Sequence, residues 1–103
     1  MTVAEFVKVA TLSELTTGTC KAVEAAGKVI ALFNVNGNVY ALDNTCLHRG
    51  GPLGEGALNG DIVTCPWHGW EYNVRNGENV NSPAVKVATY AVQVDGNDIK
   101  VAV

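Results

Sequence analysis

The sequence predicts an all-β fold of short antiparallel strands, arranged in small sheets or a barrel. Three observations carry this. Apolar residues alternate with polar or small ones near both ends, at Val7 and Val9 and again at Ile99, Val101 and Val103. Asn36-Gly37, Asn76-Gly77 and Asp95-Gly96 stand at the ends of β-rich runs, where tight turns need them. No stretch sustains the period of an amphipathic helix.

Taken in order, residues 5–10 read as a first strand, and residues 11–15 as a polar turn with room for one short helical turn. Residues 19–24 form the next strand and Ala25-Ala26-Gly27 its turn. The clearest local signal follows. Residues 28–35 and 38–43 are β-rich and flank Asn36-Gly37, the pair favoured by a type I′ hairpin because both central residues need positive φ. From Asn44 to Gly60 the strand pattern stops and glycines crowd in, which reads as loop. Residues 61–64 form a short apolar strand, residues 71–75 another, closed by Asn76-Gly77. A loop at residues 81–84 leads to a final hairpin. Its apolar positions, Val85 and Val87 and then Tyr90, Val92 and Val94, slip in phase, so a bend or bulge is expected near Ala88-Thr89.

A length of 103 residues bounds one domain with a single modest core. The net charge is -3 and no Lys/Arg run tracks phosphates, which disfavours nucleic acid as partner. Residues 1–8 lack the basic and apolar regions of a secretory signal, and no apolar run spans a bilayer. A cytoplasmic protein without membrane contact is expected. Three cysteines in such a chain do not make a disulfide framework. Cys20 has no histidine near it in sequence and reads as a small apolar side chain on a strand.

The other two cysteines each stand beside a histidine, and these are the two histidines of the chain. One segment is Cys46-Leu47-His48-Arg49-Gly50-Gly51-Pro52-Leu53; the other is Cys65-Pro66-Trp67-His68-Gly69-Trp70. A long loop bracketed by thiol–imidazole pairs argues for a metal site. Glycines let the backbone approach it, and turn N–H groups can face sulfur. Two Cys and two His suit a structural zinc or a cluster. In zinc fingers the Cys pair and the His pair come from separate elements, whereas each segment here mixes them, which suits a binuclear centre.

These two segments together resemble the Rieske [2Fe-2S] motif. The likeness extends more weakly over the whole chain, since Rieske ferredoxins are single all-β domains of this size. It implies one domain over residues 1–103: a basal β part, 1–43 and 76–103, and an inserted cluster-binding part of about 44–75. It implies one [2Fe-2S] cluster per chain, with Cys46 and Cys65 binding the inner iron as thiolates. His48 and His68 would bind the outer iron through Nδ1, leaving Nε2 toward solvent. With both imidazoles neutral such a cluster is uncharged when oxidised, so it is reduced at roughly −150 to +300 mV, against about −400 mV for plant-type centres. Reduction tightens the Nε2 protons, so the midpoint should fall with pH above the oxidised-state pKa values, and stay nearly proton-independent near neutrality.

Neighbouring residues refine this. Membrane respiratory Rieske proteins carry a loop-bridging disulfide where Gly51 and Trp67 stand here. They place a serine donor to a bridging sulfide where Trp70 stands; Tyr72 matches their tyrosine donor to a cysteine sulfur. One hydroxyl donor is therefore missing, which implies a midpoint below about 0 mV, toward the lower end of the Rieske range. Trp70 is expected beneath the cluster loop with Gly50 and Gly69 shaping the turns, and Leu53 completes the first segment. Trp67 either shields the cluster or joins a docking face. Arg49 is either a solvated charge or a contact to a redox partner. Pro83 matches the proline loop that covers the cluster in this family, although turn punctuation alone accounts for it.

Glu55, Asp61 and Glu71 lie near the motif without a telling spacing, and no second His/carboxylate set exists for mononuclear iron. The protein is thus expected to catalyse nothing alone. The resemblance implies a monomeric one-electron carrier between an NAD(P)H-dependent flavoprotein reductase and a terminal aromatic-ring-hydroxylating oxygenase, both met transiently. Two alternatives stand beside it: a Rieske-type small subunit of a larger reductase such as assimilatory nitrite reductase, and a structural zinc-binding interaction domain.

Overall fold

The computed structural model describes residues 6–45, 51–67 and 69–102. Among the described residues the strands are β1 (Phe6–Thr11), β2 (Cys20–Ala25), β3 (Lys28–Val35), β4 (Asn38–Asp43), β5 (Ala57–Asn59), β6 (Ile62–Thr64), β7 (Glu71–Asn73), β8 (Thr89–Tyr90), β9 (Val92–Asp95) and β10 (Asp98–Ala102). Leu12–Glu14 and Leu53–Glu55 form single 3-10 turns. The strands make three antiparallel sheets, ordered β1-β10-β9, β2-β3-β4-β8 and β5-β6-β7.

β3 explains how the sheets stack. Its residues from Ile30 to Val35 are all buried, so it reads as an unbroken apolar run rather than an alternating one. Successive side chains still point to opposite faces. Ala31, Phe33 and Val35 join one apolar cluster with Leu42, Leu53, Val63, Cys65, Tyr72, Val74 and Val87. Ile30 and Leu32 join the other, with Ala10, Leu15, Val23, Ala25, Val39, Ala41, Ile99 and Val101. The central sheet is therefore a partition. One face is closed by β1 and β10, the other by the segment that carries Cys65. Enclosing a Phe or Leu side chain stabilises by roughly 1.5–3 kcal/mol, and both faces hold several.

The hairpin expected at Asn36-Gly37 is present, with φ of 52° and 91° at the two residues and Val35 opposite Asn38. Asn34, buried, ties this turn to the chain before β2: Gly37 N–H donates to its Oδ1 (2.9 Å) and its Nδ2 donates to the Leu15 carbonyl (2.8 Å). The β2–β3 turn uses Ala26 and Gly27, again both at positive φ. β1 bulges at Val9, since Lys8 faces Lys100 while Ala10 faces Ile99.

Three sequence expectations need correction. Residues 44–60 are not all loop, because β5 pairs with β6 through a Gly60-Asp61 turn with positive φ at Gly60. The strand expected over residues 71–75 ends at Asn73, where the Gly77 N–H bonds the Asn73 carbonyl and folds the chain into a turn. The stretch from Val85 to Val94 is not one arm of a hairpin. It breaks at Ala91, beyond the expected Ala88-Thr89 bend, and its two pieces lie in different sheets, β8 on β4 and β9 on β10. The phase slip in the apolar pattern marks the change of sheet. The ends of the first and last expected strands, Glu5 and Val103, lie outside the described residues.

Candidate metal centre

β6 delivers Cys65. Val63 anchors the strand in the core opposite Tyr72, and both are fully enclosed. The Cys65 N–H donates to the Trp70 carbonyl (2.7 Å), which ties the two ends of this segment together. Gly69 takes φ +75°, a conformation that a side chain resists. Cys65 is 1% exposed, and its sulfur accepts the Trp67 backbone N–H at 3.4 Å.

The other motif segment is closed at its foot by Asn44. Its carbonyl accepts the Leu53 N–H (2.8 Å) and its Oδ1 accepts the Gly54 N–H (2.7 Å). Thr45 and Pro52 bridge across the same gap. Gly54 rests on β2, where a β-carbon would stand 2.7 Å from the Ala22 nitrogen. The foot of this loop is thereby fixed to the central sheet.

The two loops meet at Gly51. A β-carbon there would stand 2.6 Å from Cys65 Sγ, closer than real β-carbon contacts, and 3.0 Å from Trp67 Cγ, tighter than most of them. Beneath this contact Leu53, Tyr72 and Cys65 share one apolar cluster, with partly buried Trp70 against it. Trp67 is half-exposed and Gly69 is exposed. Pro83 is exposed on a turn held by Asn79, whose Oδ1 accepts the N–H groups of Asn81 (2.9 Å) and Ser82 (3.0 Å). Asn79 pairs with Tyr72, and the Val80 N–H donates to the Glu71 carbonyl, so this turn is docked on the outer edge of β7.

Of the four predicted ligands Cys65 lies among the described residues; Cys46, His48 and His68 lie outside them, as do Arg49 and Gly50. The structure brings Gly51, Cys65 and Trp67 into contact and sets Leu53, Trp70 and Tyr72 directly below or beside them. Asp61 is held in an ion pair with Arg75 at 3.0 Å. Cys20 Sγ donates to the Gly56 carbonyl (3.2 Å), and burial pushes its thiol above the usual thiol range, as an inert strand cysteine requires. Sequence reasoning missed Asn44 and Asn79. Both use a side-chain oxygen to accept backbone N–H groups near a turn, and the signal available was an Asn shortly before a proline-containing turn, Pro52 for one and Ser82-Pro83 for the other.

Residues 5–91 match the Rieske [2Fe-2S] domain. The chain is 34% identical over 99 residues to Ferredoxin CarAc of Metapseudomonas resinovorans, covering 94% of this chain and 92% of that one. It is 33% identical over 91 residues to the ferredoxin component of the naphthalene 1,2-dioxygenase/salicylate 5-hydroxylase systems of Ralstonia sp, covering 87% and 88%. Among solved structures, the ferredoxin of carbazole 1,9a-dioxygenase from Nocardioides aromaticivorans IC177 superposes with TM-score 0.88 at 31% identity, covering 96% and 98%. A complex of reduced oxygenase and oxidized ferredoxin in carbazole 1,9a-dioxygenase contains a chain with TM-score 0.85 at 34% identity, covering 94% and 92%. With this coverage, and with a buried thiol where two glycine-rich loops touch, the chain belongs to the Rieske [2Fe-2S] domain family.

Proposed function

We propose that the chain is a one-electron carrier that takes electrons from an NAD(P)H-dependent flavoprotein reductase and delivers them to a terminal aromatic-ring-hydroxylating oxygenase. The observation that carries this is the environment of Cys65. The residue is 1% exposed, and its sulfur faces a backbone N–H and has its neighbouring space kept clear by Gly51. A thiolate ligand wants such a setting, since the N–H dipole stabilises negative charge on sulfur and the glycine leaves room beside it. The residues present therefore fit the family's cluster.

Cys46 and Cys65 would hold one iron and His48 and His68 the other, with one [2Fe-2S] cluster per chain. The bound cluster supplies reversible one-electron chemistry. The chain's own residues do the rest: Leu53, Tyr72 and Trp70 pack in the cluster that holds Cys65 and exclude water, and Gly51 and Gly69 shape the loops. The division into a basal part, 1–43 and 76–103, and a cluster-binding part of about 44–75 is supported by the placement of β5, β6 and β7 in a sheet of their own. The oxygenase as partner is supported by the solved complex of a similar ferredoxin, and the reductase by the relatives' membership of multicomponent systems. Both contacts are small and transient, as redox encounters are. The chain works as a cytoplasmic monomer and has no catalysis of its own. Among the described residues no helix is long and apolar enough to cross a membrane.

The test is direct. Purified protein should be coloured, carry two irons and two sulfides per chain, give the EPR signal of a reduced Rieske centre, and titrate with a midpoint below about 0 mV. Colourless, zinc-loaded protein would refute the reading. So would a clearly positive midpoint for the low-potential part of it, and stable copurification with a large reductase subunit for the free-carrier part.

A further inference from the structure

We propose that Trp67 is a positioning residue that clamps the two loops together over the Cys65 sulfur, with Gly51 as its seat. This rests on the cluster reading above and deepens it. The contact is unusually close. A β-carbon on Gly51 would lie 3.0 Å from Trp67 Cγ and 3.1 Å from Trp67 Cβ, so the base of the indole lies directly against the opposite loop. The same β-carbon would lie 2.6 Å from Cys65 Sγ, so tryptophan, glycine and sulfur form one contact. The Trp67 N–H bonds that sulfur at 3.4 Å, tying the residue to Cys65 through its backbone as well.

No disulfide can join the loops at this point, because the facing positions are Gly51 and Trp67. Each loop is closed at its own foot, one by Asn44 and one by the Cys65–Trp70 hydrogen bond. Among the described residues, Gly51 against Trp67 and Cys65 is where one loop touches the other beyond these feet. The indole supplies a large, rigid apolar face at low entropic cost, and glycine is the residue that lets it come this near. Trp67 as a residue stays half-exposed, at 50% of its accessible surface, while its Cβ and Cγ end rests against Gly51.

Two consequences separate a clamp from mere packing. Loop opening governs access to the sulfur, so weakening the clamp speeds loss of the cluster. Water reaching the sulfur stabilises the more negative, reduced form, so the midpoint rises. The test compares cluster-loaded wild type, W67A, W67F and G51A. Bleaching of the visible bands in the presence of a chelator should be roughly tenfold faster in W67A, equivalent to about 1.4 kcal/mol of lost loop contact. W67F should lie near wild type, and the W67A midpoint should move upward. G51A should lose the cluster, since its methyl group meets the sulfur. Wild-type bleaching and an unchanged midpoint in W67A overturn the proposal, as does normal loading of G51A. C65S distinguishes the underlying reading. If C65S keeps the spectrum, the ligand assignment falls and the clamp with it. If C65S loses the spectrum while W67A matches wild type, the clamp alone falls.

Discussion

Tyr72→Phe isolates one hydroxyl and converts it into a potential. Tyr72 is fully enclosed in β7, paired across the sheet with Val63, and on its other side with Asn79. A phenol shut away from water needs a hydrogen-bond partner, and the proposed one is a cysteine sulfur. That bond favours the reduced, more negative state. A net hydrogen bond stabilises by about 0.5–1.5 kcal/mol. For a one-electron couple about 1.4 kcal/mol corresponds to 59 mV, so losing the whole difference would lower the midpoint by roughly 20–65 mV. The bond persists in part in the oxidised state, which places the expected drop in the lower half of that range. The ring stays, and with it the packing against the Leu53 cluster, so the variant should melt close to wild type. The assay is a mediated redox titration followed by EPR, with a thermal melt as control. A midpoint indistinguishable from wild type, in a variant that melts like wild type, would show that Tyr72 donates elsewhere.

Other residues give shorter tests. Burial holds the Cys20 thiol protonated, so it should alkylate much more slowly than a free thiol at neutral pH, measured by mass spectrometry on intact protein. The sign is fixed: its raised folded-state pKa leaves stability intact below the ordinary thiol range and erodes it as pH rises through that range and beyond, because the unfolded chain ionises first. Ala26 sits at φ 51°, which strains a side chain with a β-carbon, and Ala26→Asn should add about 0.5–1 kcal/mol and raise Tm by roughly 2–8 °C in calorimetry. The partition by the central sheet predicts a contrast. Ile99→Val, on the face away from Cys65, should lower stability by about 0.5–1.5 kcal/mol without moving the midpoint. Leu53→Ala, on the Cys65 face, should remove about 2–5 kcal/mol and also speed cluster loss. Faster cluster loss in Ile99→Val with none in Leu53→Ala would refute the partition.

The strands that sequence reasoning locates well are those whose burial comes from local pattern. β3 and β4 flank an Asn-Gly pair that fixes their register, and β10 alternates cleanly. What was not legible depends on partners far away in sequence. β5 has three residues and no apolar alternation; it is a strand because β6 lies beside it. The C-terminal stretch shows a phase slip, yet nothing local says that its halves join different sheets. That is decided by β4 and β10, which lie dozens of residues apart. The alternation of β3 between two cores is likewise invisible along the strand itself, since both faces are apolar.

The site divides the same way. The candidate ligands stand out in the sequence because Cys and His are scarce here and stand in two mixed pairs. Their surroundings were legible only as positions. Gly51 and Trp67 could be read as the absence of a bridge, but not as a contact replacing one, because that contact joins loops which sequence alone cannot bring together. Asn44 and Asn79 were missed for the related reason that their side chains act on the backbone. A carboxamide accepting N–H groups leaves no mark in composition or period. Yet these two residues fix the foot of one loop and the turn beside the other. On the proposed reading, tuning of the centre depends on how rigidly the backbone holds the Trp67 N–H toward the Cys65 sulfur and keeps Gly51 beside it.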